Sequence, residues 1–176
     1  NGMRLLKLIN DLLDLEKLEA GKVEYHPSSF DLVNFAEDMQ EEMQALARRG
    51  QQIRYSHQGT EKDVYLDKQL LRNICINLLN NAIKYSPEEK PIEFITSIGH
   101  DVSLSVKDQG LGIPQEDQRH LFERFFRAQN VTAIQGTGLG LNIVNRYARL
   151  MDGRIEFSSR ENEGSEFTVI FAKKSP

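Results

Sequence analysis

The chain has a single cysteine, Cys75, so no disulfide can form within it, and a lone thiol fits a reducing compartment. No apolar run approaches membrane-spanning length, and the N-terminus lacks a signal-peptide pattern. Neither sign of charge is in excess. Lys and Arg number 22 against 26 Asp and Glu, interspersed to a net charge of −4, which speaks against a broad nucleic-acid surface. Internal repeats and low-complexity segments are absent. There is no start methionine, and helical periodicity begins at once at Met3. The expectation is a cytoplasmic piece of a longer protein, whose full length could be membrane-anchored through other regions. What is present, 176 residues with 39% hydrophobic and 27% charged, suits one globular domain and a small appended element.

Residues 3–19 place Leu5, Leu8, Leu12 and Leu15 at alternating three- and four-residue spacing, widened by Leu6, Ile9 and Leu13. That is the face of a helix buried in a bundle, and Gly21 ends it. A loop, HPSSFD, follows, and Asp31 is placed to cap a second helix reaching Arg49 before Gly50. Ile53–His57 and Asp63–Leu66 read as short strands around a Gln58-Gly59-Thr60 turn. Asp67–Tyr85 reads as a helix, and Ile92–Ile98 with Val102–Val106 as a hairpin. Gly138–Met151 forms a further helix, with a last strand pair at Ile155–Ser158 and Phe167–Phe171. This mixture predicts an α+β fold, a two-layer α/β sandwich with a mixed sheet and helices on one face, preceded by one bundle helix. The boundary falls at residues 22–30, giving segments 1–22 and 30–176.

The helix NLLNNAIKYS is unusual in its asparagines. Asn is a poor helix former, because its amide competes for backbone hydrogen bonds. Leu71, Ile74, Leu78 and Ala82 share one face, while Asn73, Asn77, Asn81 and Lys84 line another. A solvated face normally uses Glu, Lys and Arg instead. A carboxamide offers a short neutral oxygen suited to Mg²⁺, Lys84 a charge for phosphate, and Tyr85 an aromatic edge for a base. In the strand ending at Asp108, Val102, Leu104, Val106 and Asp108 share one parity, so the carboxylate continues an apolar face. It needs a partner there, either a buried Arg or a ligand donor such as an exocyclic amino group. Gly110 and Gly112 follow, and GTGLGL at 136–141 runs into a helix, leaving free N–H groups suited to phosphate. That spacing matches neither a dinucleotide fingerprint nor a P-loop. Between the glycine clusters lies LFERFFR at 121–127, whose aromatics could dock a lid on the body and whose Arg124 and Arg127 could reach phosphate.

An Asn-x-x-x-Asn helix, DxGxG, FxRFF and GxGxG, in that order, resembles the ATP-binding domain of bacterial sensor histidine kinases, which shares its Bergerat-type fold with gyrase, Hsp90 and MutL ATPases. The resemblance covers residues 30–173, and LLKLINDLLDLEKLEAGK resembles the second helix of the family's dimerisation and histidine-phosphotransfer domain. It implies ATP and Mg²⁺ as cofactors, with Asn81 a metal ligand and Asn77 near metal and phosphates. Lys84 would approach phosphate and Tyr85 the base, and Asp108 would read the adenine amino group beside Gly110 and Gly112. Residues 113–137 would be the ATP lid. Gly136, Gly138 and Gly140 would form its phosphate-facing hinge, with Thr137 and Leu139 also binding nucleotide, and Arg127, with Arg124 beside it, would contact phosphate or the catalytic partner.

Related hydrolases place a glutamate where this chain has Asn77, and a carboxamide cannot take a proton from water at neutral pH. Phosphoryl transfer to a nucleophile that brings its own reactivity needs positioning and charge instead, which favours a kinase over an ATPase. The competing readings are a nucleotide-binding regulatory module and a hydrolase of the wider family. His26, His57, His100 and His120 all lie outside any bundle helix with an acidic context, so the phosphoacceptor histidine is expected on a helix absent from this sequence. The implied partners are that helix, a response-regulator receiver domain reached through the full-length protein, and a weak second copy through residues 5–18. No nucleic-acid partner is implied.

Overall fold

The computed structural model describes residues 2–131 and 138–176. Helix α1 (Gly2–Glu19) is followed by strand β1 (Ser28–Asp31), helix α2 (Leu32–Gln44) and strands β2 (Ile53–Gln58) and β3 (Asp63–Leu66). Helix α3 (Lys68–Tyr85), strands β4 (Ile92–Ile98) and β5 (Asp101–Asp108), helix α4 (Gly140–Leu150) and strands β6 (Arg154–Arg160) and β7 (Gly164–Ala172) complete the order. Between β5 and α4 the described chain holds only two 3-10 turns, Gln115–His120 and Gln129–Val131. The main sheet runs β2-β4-β5-β7-β6, with β2 parallel to β4 and the other pairs antiparallel.

Alternation puts one face of this sheet in the core. Ile92, Phe94 and Ile98 on β4, Val102, Leu104 and Val106 on β5, and Phe167, Val169 and Phe171 on β7 are all buried. Helix α3 covers them with Leu71, Ile74, Leu78 and Ala82. Its start is set by Asp67, whose Oδ1 accepts from the N–H groups of Gln69 and Leu70 at 3.0 and 3.1 Å while Oδ2 accepts from the His26 N–H at 2.8 Å. Pro87 follows directly on the C-cap Ser86. The expected mixed sheet with helices on one face, preceded by one helix, is the observed architecture.

Three local expectations differ from the structure. HPSSFD is not all loop: β1 pairs antiparallel with β3, Phe30 opposite Val64. The two strands around Gln58-Gly59-Thr60 therefore do not form a hairpin, because β3 leaves for this small second sheet while β2 joins β4. Helix α2 stops at Gln44, not Arg49. The Arg48 N–H donates to the side-chain oxygen of Gln51 at 3.0 Å instead of to a carbonyl one turn back. Gln51 is buried, so its amide must be satisfied, and its Nε2 also donates to the Ile83 carbonyl at 3.2 Å. The Gln44 amide meanwhile bonds both the Gln51 carbonyl and the Ile53 N–H, each at 2.8 Å, which hands the chain from α2 to β2.

Candidate nucleotide site

A cavity opens where the C-terminal part of α3, the end of β5 and the start of α4 converge. Asn77, Asn80, Asn81, Lys84 and Tyr85 enter it from α3, Asp108 from β5, Gly138 and Gly140 from the turn into α4, and Phe126 and Arg127 from the long connection. These positions lie together because α3 buries its leucine face on the sheet and turns the asparagine face sideways. The cavity is open to solvent at its mouth.

Asp108 sits in the row of Val102, Leu104 and Val106, opposite Ser165, and is 9% exposed. Burial raises its carboxyl from the ordinary 3.8 to about 6, with backbone N–H groups of Gly110 and Ser165 pulling the other way. The Gly110 N–H donates to Oδ1 at 2.9 Å. Gly110 does not itself line the cavity. A Cβ there would stand 2.1 Å from the Tyr85 carbonyl oxygen, so glycine lets the DxGxG turn close on the end of α3.

On α3, Asn77 Nδ2 donates to the Asn73 carbonyl at 2.9 Å, an assignment that leaves Oδ1 toward Gly140, 3.1 Å from where a Cβ on that glycine would lie. Asn73 is placed differently: its side chain faces the Tyr147 hydroxyl of α4 and works against the upward push of burial on that group. The Lys84 ammonium is lowered by burial and by the neighbouring Lys7 and Arg127 cations, partly offset by Asp11, and burial raises the Tyr85 hydroxyl. Neutral oxygens, a desolvated ammonium and a guanidinium on one wall, with a buried carboxylate also lining the cavity, are a donor set that fits a metal-bound polyphosphate and an amino-bearing base.

The aromatic segment divides its roles. Phe122 packs edge-on against Phe157 at 5.8 Å, and Phe126 lines the cavity. Phe125 is 55% exposed with a positive φ of 62°, and its N–H donates to the Gly138 carbonyl at 2.9 Å. Arg124 does not enter the cavity and pairs with Glu19 of α1. Leu139 is buried beneath the turn into α4, while Gly136 and Thr137 lie outside the described residues. Helix α4 starts at Gly140, two residues after the expected Gly138.

A profile of the histidine kinase-, DNA gyrase B- and HSP90-like ATPase family matches residues 66–175, the stretch that contains every cavity residue named above. The chain belongs to that family. It is 37% identical to the circadian input-output histidine kinase CikA of Synechococcus elongatus over 96% of this chain and 23% of the relative, and 29% identical to the sensor histidine kinase WalK of Bacillus subtilis over 97% and 29%. It thus spans about a quarter of the length of these curated relatives. Full-length ShkA crystallised with AMPPNP superposes with a TM-score of 0.85 at 28% identity, covering 98% of this chain and 37% of that one. The histidine kinase AdeS of Acinetobacter baumannii gives 0.76 at 25% identity, covering 97% and 79%.

Within this ATPase fold, two charged cavity residues were not anticipated. Lys7 and Asp11 of α1 line it, joined by an ion pair of 2.7 Å. The signal was present in the sequence, as Asp11 interrupts the row Leu8, Leu15, Leu18 at helical spacing. No described helix is long and apolar enough to cross a membrane.

Proposed function

We propose that residues 30–176 are the catalytic domain of a two-component sensor kinase, which binds Mg²⁺-ATP and passes its γ-phosphoryl group to a histidine on a bundle helix. Residues 1–22 would then be the C-terminal helix of the dimerisation and phosphotransfer domain. The observation that carries the reading is the meeting in one cavity of Asp108 with the Asn77, Asn81, Lys84 and Arg127 wall. The Asp108 carboxylate would accept from the adenine amino group, and Tyr85 would bear on the base. The Asn77 and Asn81 side-chain oxygens would hold Mg²⁺, and Lys84 and Arg127 would balance phosphate charge, with Gly138 and Gly140 letting the α4 entry approach. Bound Mg²⁺-ATP supplies the transferable phosphoryl group and the metal's charge. Asn77, a carboxamide, takes no proton from water, so hydrolysis is not promoted. None of the four histidines lies on α1, so the acceptor imidazole would come from another helix. The full-length protein would work in the cytoplasm and hand the phosphoryl group to a receiver domain, and residues 5–18 would support a weak dimer.

Calorimetric titration with Mg²⁺ and AMPPNP tests the site. Wild type should bind, with the affinity falling at least about tenfold in both Asn81→Ala and Asp108→Asn. Unchanged affinity in the two variants refutes the site. Acid-labile phosphate on an added histidine-bearing bundle, without steady phosphate release in its absence, would separate kinase from hydrolase.

A further inference from the structure

Helix α1 docks on the molecule through Leu8, Leu15 and Leu18, with Leu15 1% exposed and the other two packed on the core. At its far end Glu19 pairs with Arg124 of the long connection and with Arg146 of α4, the latter at 3.5 Å. Leu5, Leu6, Ile9, Leu12 and Leu13, all 38–58% exposed, occupy the opposite side. Two charged side chains share the docked face, Lys7 and Asp11, and both reach the cavity wall that Asn77, Asn81 and Lys84 also line. They stand one helical turn apart and meet at 2.7 Å. The pair is uneven. The Asp11 side chain is 6% exposed and the Lys7 side chain 45%, so the ammonium is the partner that a ligand in the cavity meets first. Lys7 also acts on Lys84 more strongly than Asp11 does, which turns the positive pole of the pair toward that end. Lys84 senses Arg127 there as well. Like charges gathered on a half-buried wall repel one another, and a polyanion among them relieves that repulsion.

We propose that Lys7 is a further polyphosphate-binding residue, carried to the nucleotide cavity by α1 and held there by Asp11. The inference rests on the nucleotide reading of the cavity and adds to it a cation from outside the matched ATPase stretch. An ammonium has three N–H donors, and the bond to Asp11 uses one, which leaves two for phosphate oxygens. Asp11 is the positioning residue: a buried carboxylate one turn on fixes a long side chain that would otherwise lose its rotamer freedom only when the ligand arrives. Linkage makes the effect mutual. A nucleotide must steady the docked helix by the same factor by which the docked helix tightens the nucleotide. The polyphosphate end of the site is complete only with α1 in place.

The test is calorimetric titration of Mg²⁺ and AMPPNP into the 176-residue chain and its Lys7→Met, Asp11→Asn and doubly substituted variants, with adenosine followed by displacement of AMPPNP. Lys7→Met should bind AMPPNP about fivefold more weakly, the upper range for a partly exposed ion pair, and adenosine as wild type does. The same factor should separate the double variant from Asp11→Asn. Unchanged AMPPNP affinity in Lys7→Met overturns the inference and leaves the nucleotide site standing. A double variant that binds as tightly as Asp11→Asn overturns it as well, since Lys7 would then only neutralise the buried carboxylate. A matching loss for adenosine does the same, because the substitution would be acting through the seating of the helix. Binding in none of the four chains overturns the nucleotide reading and this inference with it.

Discussion

Asp108 makes stability and recognition pull in opposite directions with pH. In the unfolded chain its carboxyl ionises near 3.8, while in the native state burial holds the proton to about 6. Between those values the native state binds more protons than the unfolded one, so stability falls as pH rises and the loss is complete above the folded value. Compared with Asp108→Asn, which cannot ionise and cancels every other titration, wild type should lose about 2 kcal/mol of relative stability between pH 4.5 and 7.5. For a domain of this size that is about 4–8 °C in Tm. Nucleotide affinity should move the other way: if the ionised carboxylate is the form that accepts the adenine amino group, wild-type binding strengthens about tenfold from pH 5 to 7.5. Scanning fluorimetry of both proteins across the pH series is the assay. Parallel stability curves, or a wild type that gains on the variant as pH rises, would refute the argument that desolvation dominates this carboxylate.

Other substitutions test the packing around the site. Gly110→Ala should destabilise by about 1–3 kcal/mol in urea melts and weaken nucleotide binding, because its Cβ would press on the Tyr85 carbonyl. Thr96→Val removes the hydroxyl shared by Tyr55 at 2.6 Å and His57 Nδ1 at 2.8 Å, and should cost roughly 1–2 kcal/mol by the same measurement while leaving nucleotide affinity unchanged. Asp31→Ala should lower stability by about 1 kcal/mol, as the Asn34 N–H loses its acceptor at the start of α2.

The elements that carried strong periodicity were legible in the sequence. The alternation through Val102, Leu104, Val106 and Asp108 and the two faces of α3 followed from spacing alone, and these place most of the cavity wall. The two hairpins, β4 with β5 and β6 with β7, were legible as well, but the partners of β1 and β2 were not. Nothing in IRYSHQ says that it will lie parallel to β4, and four residues ending in a helix cap, SSFD, carry too little pattern to announce β1. The early end of α2 depended on a buried glutamine from beyond the helix, a tertiary effect that local propensity does not contain. The part of Asn73 was missed for the same reason. Its place in the stripe suggested a ligand, but its side chain faces a tyrosine on a helix about 70 residues later.

The parallel pairing of β2 with β4 has a bearing on how the molecule assembles. Strands side by side in the same direction need a long connection, and here that connection is β3 and α3, the helix that supplies seven of the residues around the cavity. In the finished fold the connection that carries the chain from β2 to β4 is the one that lays α3 across the sheet. Asn77, Asn81 and Lys84 are thus carried by the same segment that lets β2 and β4 run in one direction. A change in the length of that connection would therefore displace the cavity wall and the sheet edge together.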